Sequence, residues 1–414
     1  MYLNNYQHLK NKEIYLLFFL FIFSFLIRIP GIFIFGDTKL DNEWEVLVNN
    51  LTDYGTLSLR NFDAFIVPSV WMPPLYAFYL YFFKIFHFNN EIYIQVVLFS
   101  QIILSSFSVV IFYNINKLFF SNKICILGTV IFSLFPLHIY ACTQISSIIL
   151  QSFLTITFFY FFLKIVKKNN FFDICFLSLV SGLLILLRGE FIALFLLSIL
   201  YLALFIKINL KSIMIIILLT FVVVAPYLMR NIIVLDTITI TKSIGYNLWK
   251  GNNSQTDVEG KNYIFDSILD LNNINLREQI NKVPKDKYYE INVDKVFFSE
   301  GIKNIKNDPI KYFGLYLKKI LSFLFIDLNS SHPYYYHPLH YLPILFISVT
   351  SIIGIILSKK NSYQMNFLIL YFIANIAILS VFPILPRYAL ALLPLQIIFS
   401  NVFFEYIKNN FFKK

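Results

Sequence analysis

The first polar stretch of the chain, residues 36–72, is rich in carboxylates that could act on a proton. Residues 41–45 read Asp-Asn-Glu-Trp-Glu. Carboxylates beside an apolar segment are suited to accept a proton from a hydroxyl group or to hold a polar molecule. The alternative is that Asp41 and Glu43 are solvated loop charges that balance nearby cations such as Lys39. The residues alone leave both interpretations open.

Three arginines stand at the ends of apolar segments. Arg188 interrupts the apolar stretch 171–206 within an Arg-Gly-Glu turn, and Arg230 and Arg387 each adjoin another apolar segment. A guanidinium group keeps its charge and can bind two phosphate oxygens at once. The three side chains are therefore candidates for binding a phosphate group, or else they are interfacial anchors whose charged ends reach toward water.

The composition indicates which elements must position these groups. Of the 414 residues, 58% are hydrophobic and 14% are charged, against about 45–50% and about 25% in soluble domains. A helix needs about 20 apolar residues to cross a bilayer, whereas a membrane barrel would show short alternating segments. The apolar residues here form many long continuous runs, so we predict an all-α, polytopic integral membrane protein.

The excess of basic residues fits this class. The net charge is +11, and many lysines lie between apolar runs, where they set topology and contact anionic headgroups. This distribution predicts membrane lipids as partners and no nucleic acid. The cysteines, at positions 125, 142 and 175, have no paired spacing and predict neither a disulfide framework nor a metal site.

The lysines also predict a topology. If 75–88 and 311–326 lie in the membrane interface, the lysine-rich loops fall on the cytoplasmic side together with the N-terminus. The total is about 10–12 transmembrane helices, depending on whether those two segments cross. We expect the first apolar segment to be an uncleaved helix. The predicted spans are 14–35, 93–116, 124–141, 145–163, 171–187, 191–206, 211–228, 339–357, 364–382 and 388–407.

Two large polar loops then lie on the outer face of one transmembrane domain, 1–414. Proline suits the first turn of a helix, so Pro73-Pro74 predicts an interfacial helix after the first loop. Neither loop has enough apolar residues to build a core of its own. The parts are the first outer loop (36–72), the second outer loop (229–310) with short helices at 269–282 and 288–304, and the C-terminal helices (311–407).

The second outer loop begins with a recognisable pattern. Pro226-Tyr-Leu-Met-Arg230-Asn231 is followed by Gly245-Tyr-Asn247-Leu-Trp249-Lys-Gly251-Asn252-Asn253 and Gly260. This pattern resembles the bacterial dolichyl-phosphate-mannose-protein mannosyltransferase-like family (glycosyltransferase family 39-like). That family belongs to the C-type (GT-C) glycosyltransferases, with the lipid A aminoarabinose transferase among its relatives. Weaker resemblances in the family's order are Asp41-x-x-Trp44 through Gly55, Pro73-Pro74-Leu75-Tyr76, Gly182 through Arg188, and Pro386-Arg387-Tyr388.

The resemblance implies a transferase that takes a sugar from a polyprenyl-phosphate carrier, with inversion at the anomeric carbon. It implies a multi-pass protein of the bacterial plasma membrane with its active site on the extracytoplasmic face, and a lipid, glycan or protein acceptor. Asp41 is the implied base, with Glu43 as the alternative. Arg387, Arg230 and Arg188 are the residues implied to hold the carrier phosphate as its charge develops. Other implied substrate-site residues are Trp44, Tyr76, Asn247, Trp249, Asn252 and Tyr388.

The chain departs from the family pattern in places. Trp44 stands where tyrosine is usual, and Tyr227 stands where tryptophan is usual. The stretch 136–151 carries no acidic residue, although relatives often have one there. A hard cation needs several oxygen ligands, so we predict no required metal or cofactor, with a divalent metal left as the alternative. His138 is either a polar contact near the site or a hydrogen-bonded histidine at a helix end.

Two other functions stay open at this level. An envelope polysaccharide polymerase or ligase would also have many spans and a large outer loop, and would depend on outer arginines and histidines. A transporter or flippase would show inverted repeats and ionisable residues near the bilayer midplane, and we find neither pattern in the sequence. The sugar and the acceptor are not indicated.

Overall fold

The computed structural model describes residues 2–62, 65–260, 274–330, 335–358 and 362–411, and the side chains of these except 2–11 and 65. The helices are α1 (Tyr2–Phe35), α2 (Glu43–Tyr54), α3 (Pro74–Lys84), α4 (Asn90–Asn116), α5 (Asn122–Leu134), α6 (Pro136–Cys142), α7 (Ile148–Lys167), α8 (Phe171–Leu187), α9 (Phe191–Tyr201) with a π-helical continuation (Leu202–Ile206), α10 (Leu210–Leu235), α11 (Ile244–Gly251), α12 (Ile274–Asn281), α13 (Tyr289–Asn307), α14 (Pro309–Leu324), α15 (Pro338–Leu357), α16 (Tyr363–Leu379) and α17 (Leu393–Phe411), the last preceded by a 3-10 helix (Pro386–Ala391). Two short strands, β1 (Arg60–Phe62) and β2 (Phe65–Val67), pair antiparallel.

Helices occupy every segment that the sequence predicted to span. In the described part of the chain, five helices are long and apolar enough to cross a membrane. The number is six if the bent pair α5–α6 is one span. Three shorter apolar stretches, α8, α9 with its π-helical turn, and α16, lie among them. The all-α, polytopic class is therefore confirmed.

Local chemistry explains where the predicted bounds were wrong. The span predicted at 211–228 continues to Leu235, so Arg230 lies inside α10 and not after it. That helix ends where Asp236 adopts a left-handed conformation with φ 49°. The span predicted at 124–141 is bent by 51° between α5 and α6, because Pro136 disfavours helical dihedrals at the residue before it.

The two ambiguous segments form short helices. α3 has 11 residues and is about 16 Å long at the usual helical rise, which is too short to cross a bilayer. α14 has 16 residues with an apolar outward face and a separate buried face. Both fit the predicted interfacial placement.

The apolar core lies among the long helices. α4 packs against α1, α5 and α7, while α8 packs against α7 and α10, and α15 against α17. The outer loops also share a small core, which the sequence did not predict. Trp249, Phe297 and Val293 come from the second loop, and Val67 from the first. Each loop is too poor in apolar residues for a core alone, but together they bury one.

Candidate functional site

The acidic run of the first outer loop lies at the start of α2. Asn42 caps this helix, since its side-chain oxygen accepts a hydrogen bond from the backbone N–H of Trp44 at 3.0 Å. Asp41 is exposed and forms an ion pair with Lys39 at 2.9 Å, which lowers the pKa of the Asp41 carboxyl. Glu43 occupies the first turn, where the positive end of the helix dipole favours a carboxylate. Both predicted acids are thus solvent-accessible.

Aromatic and amide contacts hold α2 in place. The rings of Trp44 and Tyr76 meet edge to face with centroids 4.9 Å apart. Tyr76 has no exposed surface, and its hydroxyl donates to Oε1 of Gln101 at 3.0 Å. Gln101 in turn donates to the backbone oxygen of Gln144 at 2.9 Å. Tyr76, predicted as a substrate-site residue, is therefore buried in the bundle, where it holds Trp44 and α2 in place.

Asp37 anchors the start of the same loop. Its Oδ2 accepts a hydrogen bond from the backbone N–H of Ile145 at 2.6 Å, and its own N–H donates to the oxygen of Thr143 at 3.0 Å. Partial burial raises the pKa of the Asp37 carboxyl. The sequence showed this residue only as one acid among several, because its partners are backbone atoms of the α6–α7 turn.

Two of the three predicted arginines meet at one aromatic ring. The guanidinium carbon of Arg188 lies 5.8 Å from the ring centroid of Tyr388, and that of Arg387 lies 5.9 Å from it. Nε of Arg188 also donates to Oε1 of Gln151 at 2.8 Å. The Arg-Gly-Glu turn between α8 and α9 is thus brought to the 3-10 helix that precedes α17.

Arg230 is placed differently. Its guanidinium donates to the backbone oxygens of Ser69 at 3.1 Å and Leu57 at 3.4 Å. Glu290 reaches the same point from α13, where it accepts hydrogen bonds from the Ser69 hydroxyl at 2.8 Å and from the N–H of Val70 at 3.1 Å. Arg230 therefore ties the first outer loop to α10.

The glycines of the sequence motif mark close contacts. A Cβ on Gly245 would lie 2.0 Å from the backbone oxygen of Asp294, and one on Gly251 would lie 2.8 Å from the backbone nitrogen of Pro383. The Asn252 side chain donates to the oxygen of Val381 at 2.9 Å. These contacts fix α11 against α13 and against the segment that leads to Arg387.

The other motif residues divide between buried and accessible positions. Trp249 is 4% exposed and Asn252 is 5% exposed, so both support the structure around the site. Asn247 donates to the oxygen of Ser243 at 2.8 Å and lines a groove. The sequence did not single out Lys250, which is half-buried beside them. Burial and the charge of Arg387 lower the pKa of Lys250, while Glu43 raises it.

That groove has a volume of 770 Å³ and lies between the α8–α9 turn, α9, α10 and the start of α11. The polar residues on its walls include Arg188, Glu190, Asn247 and Tyr388. Most of the lining is apolar. Its apolar walls include Ile192, Phe195 and Leu196 from α9 and Ile217, Phe221 and Val224 from α10.

The remaining candidates lie elsewhere. His138 is fully buried in the first turn of α6, where Nδ1 lies 3.3 Å from Arg28 and Nε2 lies 3.4 Å from Ser152. These surroundings match the second interpretation of His138, a hydrogen-bonded histidine at a helix end. Among the residues that the structure describes, no three His, Cys, Asp or Glu side chains are grouped as a metal would require.

Comparisons with known proteins establish the fold. No protein-family model matches the chain, and no curated protein sequence does so. A solved structure that is similar is the crystal structure of the Archaeoglobus fulgidus oligosaccharyltransferase in complex with zinc and sulfate, with a TM-score of 0.54 and 13% sequence identity. The match covers 94% of this chain and 49% of that one, so the chain spans about half the length of the oligosaccharyltransferase. The predicted GT-C membrane architecture is confirmed.

Proposed function

We propose that this protein is a membrane glycosyltransferase that moves a sugar from a polyprenyl-phosphate carrier to an acceptor hydroxyl. The fold that it shares with an oligosaccharyltransferase supports the class. The sequence motif around Arg230 and 245–260 supports the carrier-linked donor. We further propose that the protein lies in the bacterial plasma membrane with its active site on the extracytoplasmic face. The reaction inverts the anomeric carbon, and the acceptor is a lipid, a glycan or a protein.

The arrangement of the groove and its cations is the observation that carries the proposal. Arg188 lines a mostly apolar groove, and Arg188 and Arg387 both lie against the ring of Tyr388. Within the described part of the chain, neither guanidinium forms an ion pair with a carboxylate. A lipid phosphate offers both an apolar chain and the missing negative charge. We therefore assign the prenyl chain to the apolar part and the phosphate to Arg188 and Arg387.

Arg230 has another role in this proposal. Its donors are directed to backbone oxygens of the first outer loop, which must stay in place for a carboxylate on that loop to reach the acceptor. Arg230 then positions the loop, and Arg188 and Arg387 bind the phosphate.

The reaction is a single displacement. The carboxylate takes the proton of the acceptor hydroxyl while the acceptor oxygen forms a bond to the anomeric carbon. The bond from that carbon to the phosphate oxygen breaks, and its electron pair stays on the phosphate. Because the phosphate gains charge as this bond breaks, fixed cations stabilise the transition state more than the ground state.

Two carboxylates are candidates for the base. Asp41 matches the acidic residue of the family pattern, but it is paired with Lys39. Glu43 lies within electrostatic range of Lys250, which is itself close to Arg387. We propose Asp41 as the base and retain Glu43 as the alternative.

The test is transfer of labelled sugar from a panel of polyprenyl-phosphate-linked sugars by membranes that contain the wild-type chain, Asp41→Asn or Glu43→Gln. Glu45→Gln, two positions after Glu43 in the first turn of α2, is the matched control. Transfer by the wild type that is lost in Asp41→Asn supports the proposal, and loss in Glu43→Gln alone moves the base to Glu43. Absence of transfer from every donor would contradict the proposed activity and leave the polymerase or ligase and the transporter or flippase as alternatives.

A further inference from the structure

Lys250 is a cation beside another cation. It is half-buried at the end of α11, and Arg387 and Glu43 are the charged side chains that act on it. Within the described residues its ammonium group forms no hydrogen bond or ion pair. A half-buried ammonium group that forms no direct ion pair, and that a like charge also repels, is stabilised by an anion that binds to it in the working state.

The backbone around Lys250 is fixed from several sides. Its carbonyl accepts a hydrogen bond from the Thr256 hydroxyl at 2.8 Å. A Cβ on Gly260 would lie 3.1 Å from Cγ of Lys250 and 3.0 Å from Cβ of Pro383, so the stem of the lysine runs through a narrow space. That space adjoins the segment that carries Arg387. The stem of Lys250 is therefore held by packing beside Pro383, on the segment that leads to Arg387.

We propose that Lys250 binds the phosphate that leaves the sugar, together with Arg387, and that it acts most strongly after the bond to the sugar has begun to break. This assignment rests on the proposed polyprenyl-phosphate donor. The donor phosphate is a diester with one negative charge. The product is a monoester whose second pKa is about 6, so it carries nearly two charges at neutral pH. A third cation at this position matches the charge that develops during the reaction.

Glu43 fits this assignment. It raises the pKa of Lys250 and so favours the ammonium form, against the effects of burial and of Arg387. Since Glu43 belongs to the first outer loop, this interaction also brings a carboxylate of that loop toward the proposed phosphate site. The two residues come from positions far apart in the sequence, which is why no local motif identified them together.

The experiment measures equilibrium binding of a short-chain polyprenyl phosphate, and of the matching uncharged polyprenol, to purified full-length protein in detergent. The variants are Lys250→Met, Lys250→Arg and the control Lys295→Met, since Lys295 is exposed on α13. We expect Lys250→Met to weaken polyprenyl phosphate binding by about 10-fold to 100-fold, the range for losing a charged hydrogen-bond partner. Polyprenol binding should be unchanged, Lys250→Arg should restore most of the phosphate affinity, and Lys295→Met should equal the wild type.

The outcomes separate this proposal from the one on which it rests. If Lys250→Met binds polyprenyl phosphate as tightly as the wild type does, Lys250 is not a phosphate ligand. If the wild type does not prefer polyprenyl phosphate over polyprenol, both proposals are wrong. If binding behaves as expected but no donor gives sugar transfer, the phosphate site with Lys250 stands and the transferase activity does not. Unchanged polyprenol binding by Lys250→Met excludes misfolding as the cause of its lost affinity.

Discussion

Arg230 on α10 donates a hydrogen bond to the backbone oxygen of Ser69, 3.1 Å away and 161 residues earlier in the chain. The hydroxyl of Ser69 donates to Glu290 on α13 at 2.8 Å, and its N–H donates to the oxygen of Leu57 at 2.7 Å. Ser69 thus joins the first outer loop to α10 and to α13. The geometry of the acidic loop depends on this junction as much as on α2 itself.

The first prediction concerns this junction. Arg230→Gln removes the donors to Ser69 and Leu57. The backbone oxygen of Ser69 then loses its hydrogen bond from Arg230, whereas that of Leu57 keeps the N–H of Ser69. We expect a loss of about 1–3 kcal/mol in the free energy of unfolding, measured as a fall in the thermal unfolding midpoint in detergent. Arg277→Gln, on α12, is the control and should leave the midpoint unchanged. An unchanged midpoint for Arg230→Gln would mean that the junction does not stabilise the protein.

The second prediction concerns the two arginines at the tyrosine ring. Arg387 is exposed, so Arg387→Gln should not change the unfolding midpoint. It should reduce kcat/KM for the carrier-linked donor by about 10-fold to 100-fold, as expected for a charge-assisted contact to phosphate. Arg188→Gln should also reduce kcat/KM for this donor, whereas Arg277→Gln should leave kcat/KM unchanged. Equal donor use by Arg387→Gln and the wild type would exclude Arg387 from the phosphate site.

The sequence predicted the elements better than it predicted their contacts. Apolar length alone located the spanning helices, because the bilayer requires long apolar segments. The Arg-Gly-Glu turn at 188–190 was also predicted, because charged residues between apolar runs favour a turn outside the lipid. By contrast, the role of Arg230 depends on backbone oxygens of a distant loop, and no residue type or spacing encodes those.

In the candidate site, too, the sequence identified residues but not the contacts that they make. Gly251 and Asn252 were identified by their pattern, but the structure shows that this pattern serves close packing against 381–383. Lys250 lies within that pattern and was overlooked, because a lysine next to a polar loop has the appearance of a solvated charge. Its electrostatic interactions with Glu43 and Arg387 exist only after three separate parts of the chain are folded together.

The third prediction compares two glycines. A Cβ on Gly251 would lie 2.8 Å from the backbone nitrogen of Pro383, whereas one on Gly314 would have no atom within 4 Å. Gly251→Ala should therefore force the 381–383 segment away and destabilise the protein by about 1–3 kcal/mol. It should also lower donor use, because that segment leads to Arg387. Gly314→Ala, inside α14, should be neutral or stabilising by up to about 1 kcal/mol, and a similar loss in both variants would contradict this account.

The last prediction concerns Lys319, which is fully buried in α14 and donates to the backbone oxygen of Gly251 at 2.7 Å. Burial lowers the pKa of Lys319 from 10.5 to about 7. Between these two values the unfolded chain holds a proton that the folded chain has released, so stability due to this group rises with pH across that window. Below about pH 7 both states are protonated, and the buried ammonium destabilises the folded state most.

Lys319→Met should remove this contribution. Its unfolding midpoint should change less than that of the wild type when the pH is raised from about 7 to about 9. Lys318→Met is the matched control, because Lys318 is the neighbouring lysine on the exposed face of α14, and it should keep the pH dependence of the wild type. Identical pH dependence in Lys319→Met and the wild type would mean that Lys319 is charged throughout this range. In that case the ammonium group would need an anionic partner, and a ligand phosphate near Gly251 would be the first one to test.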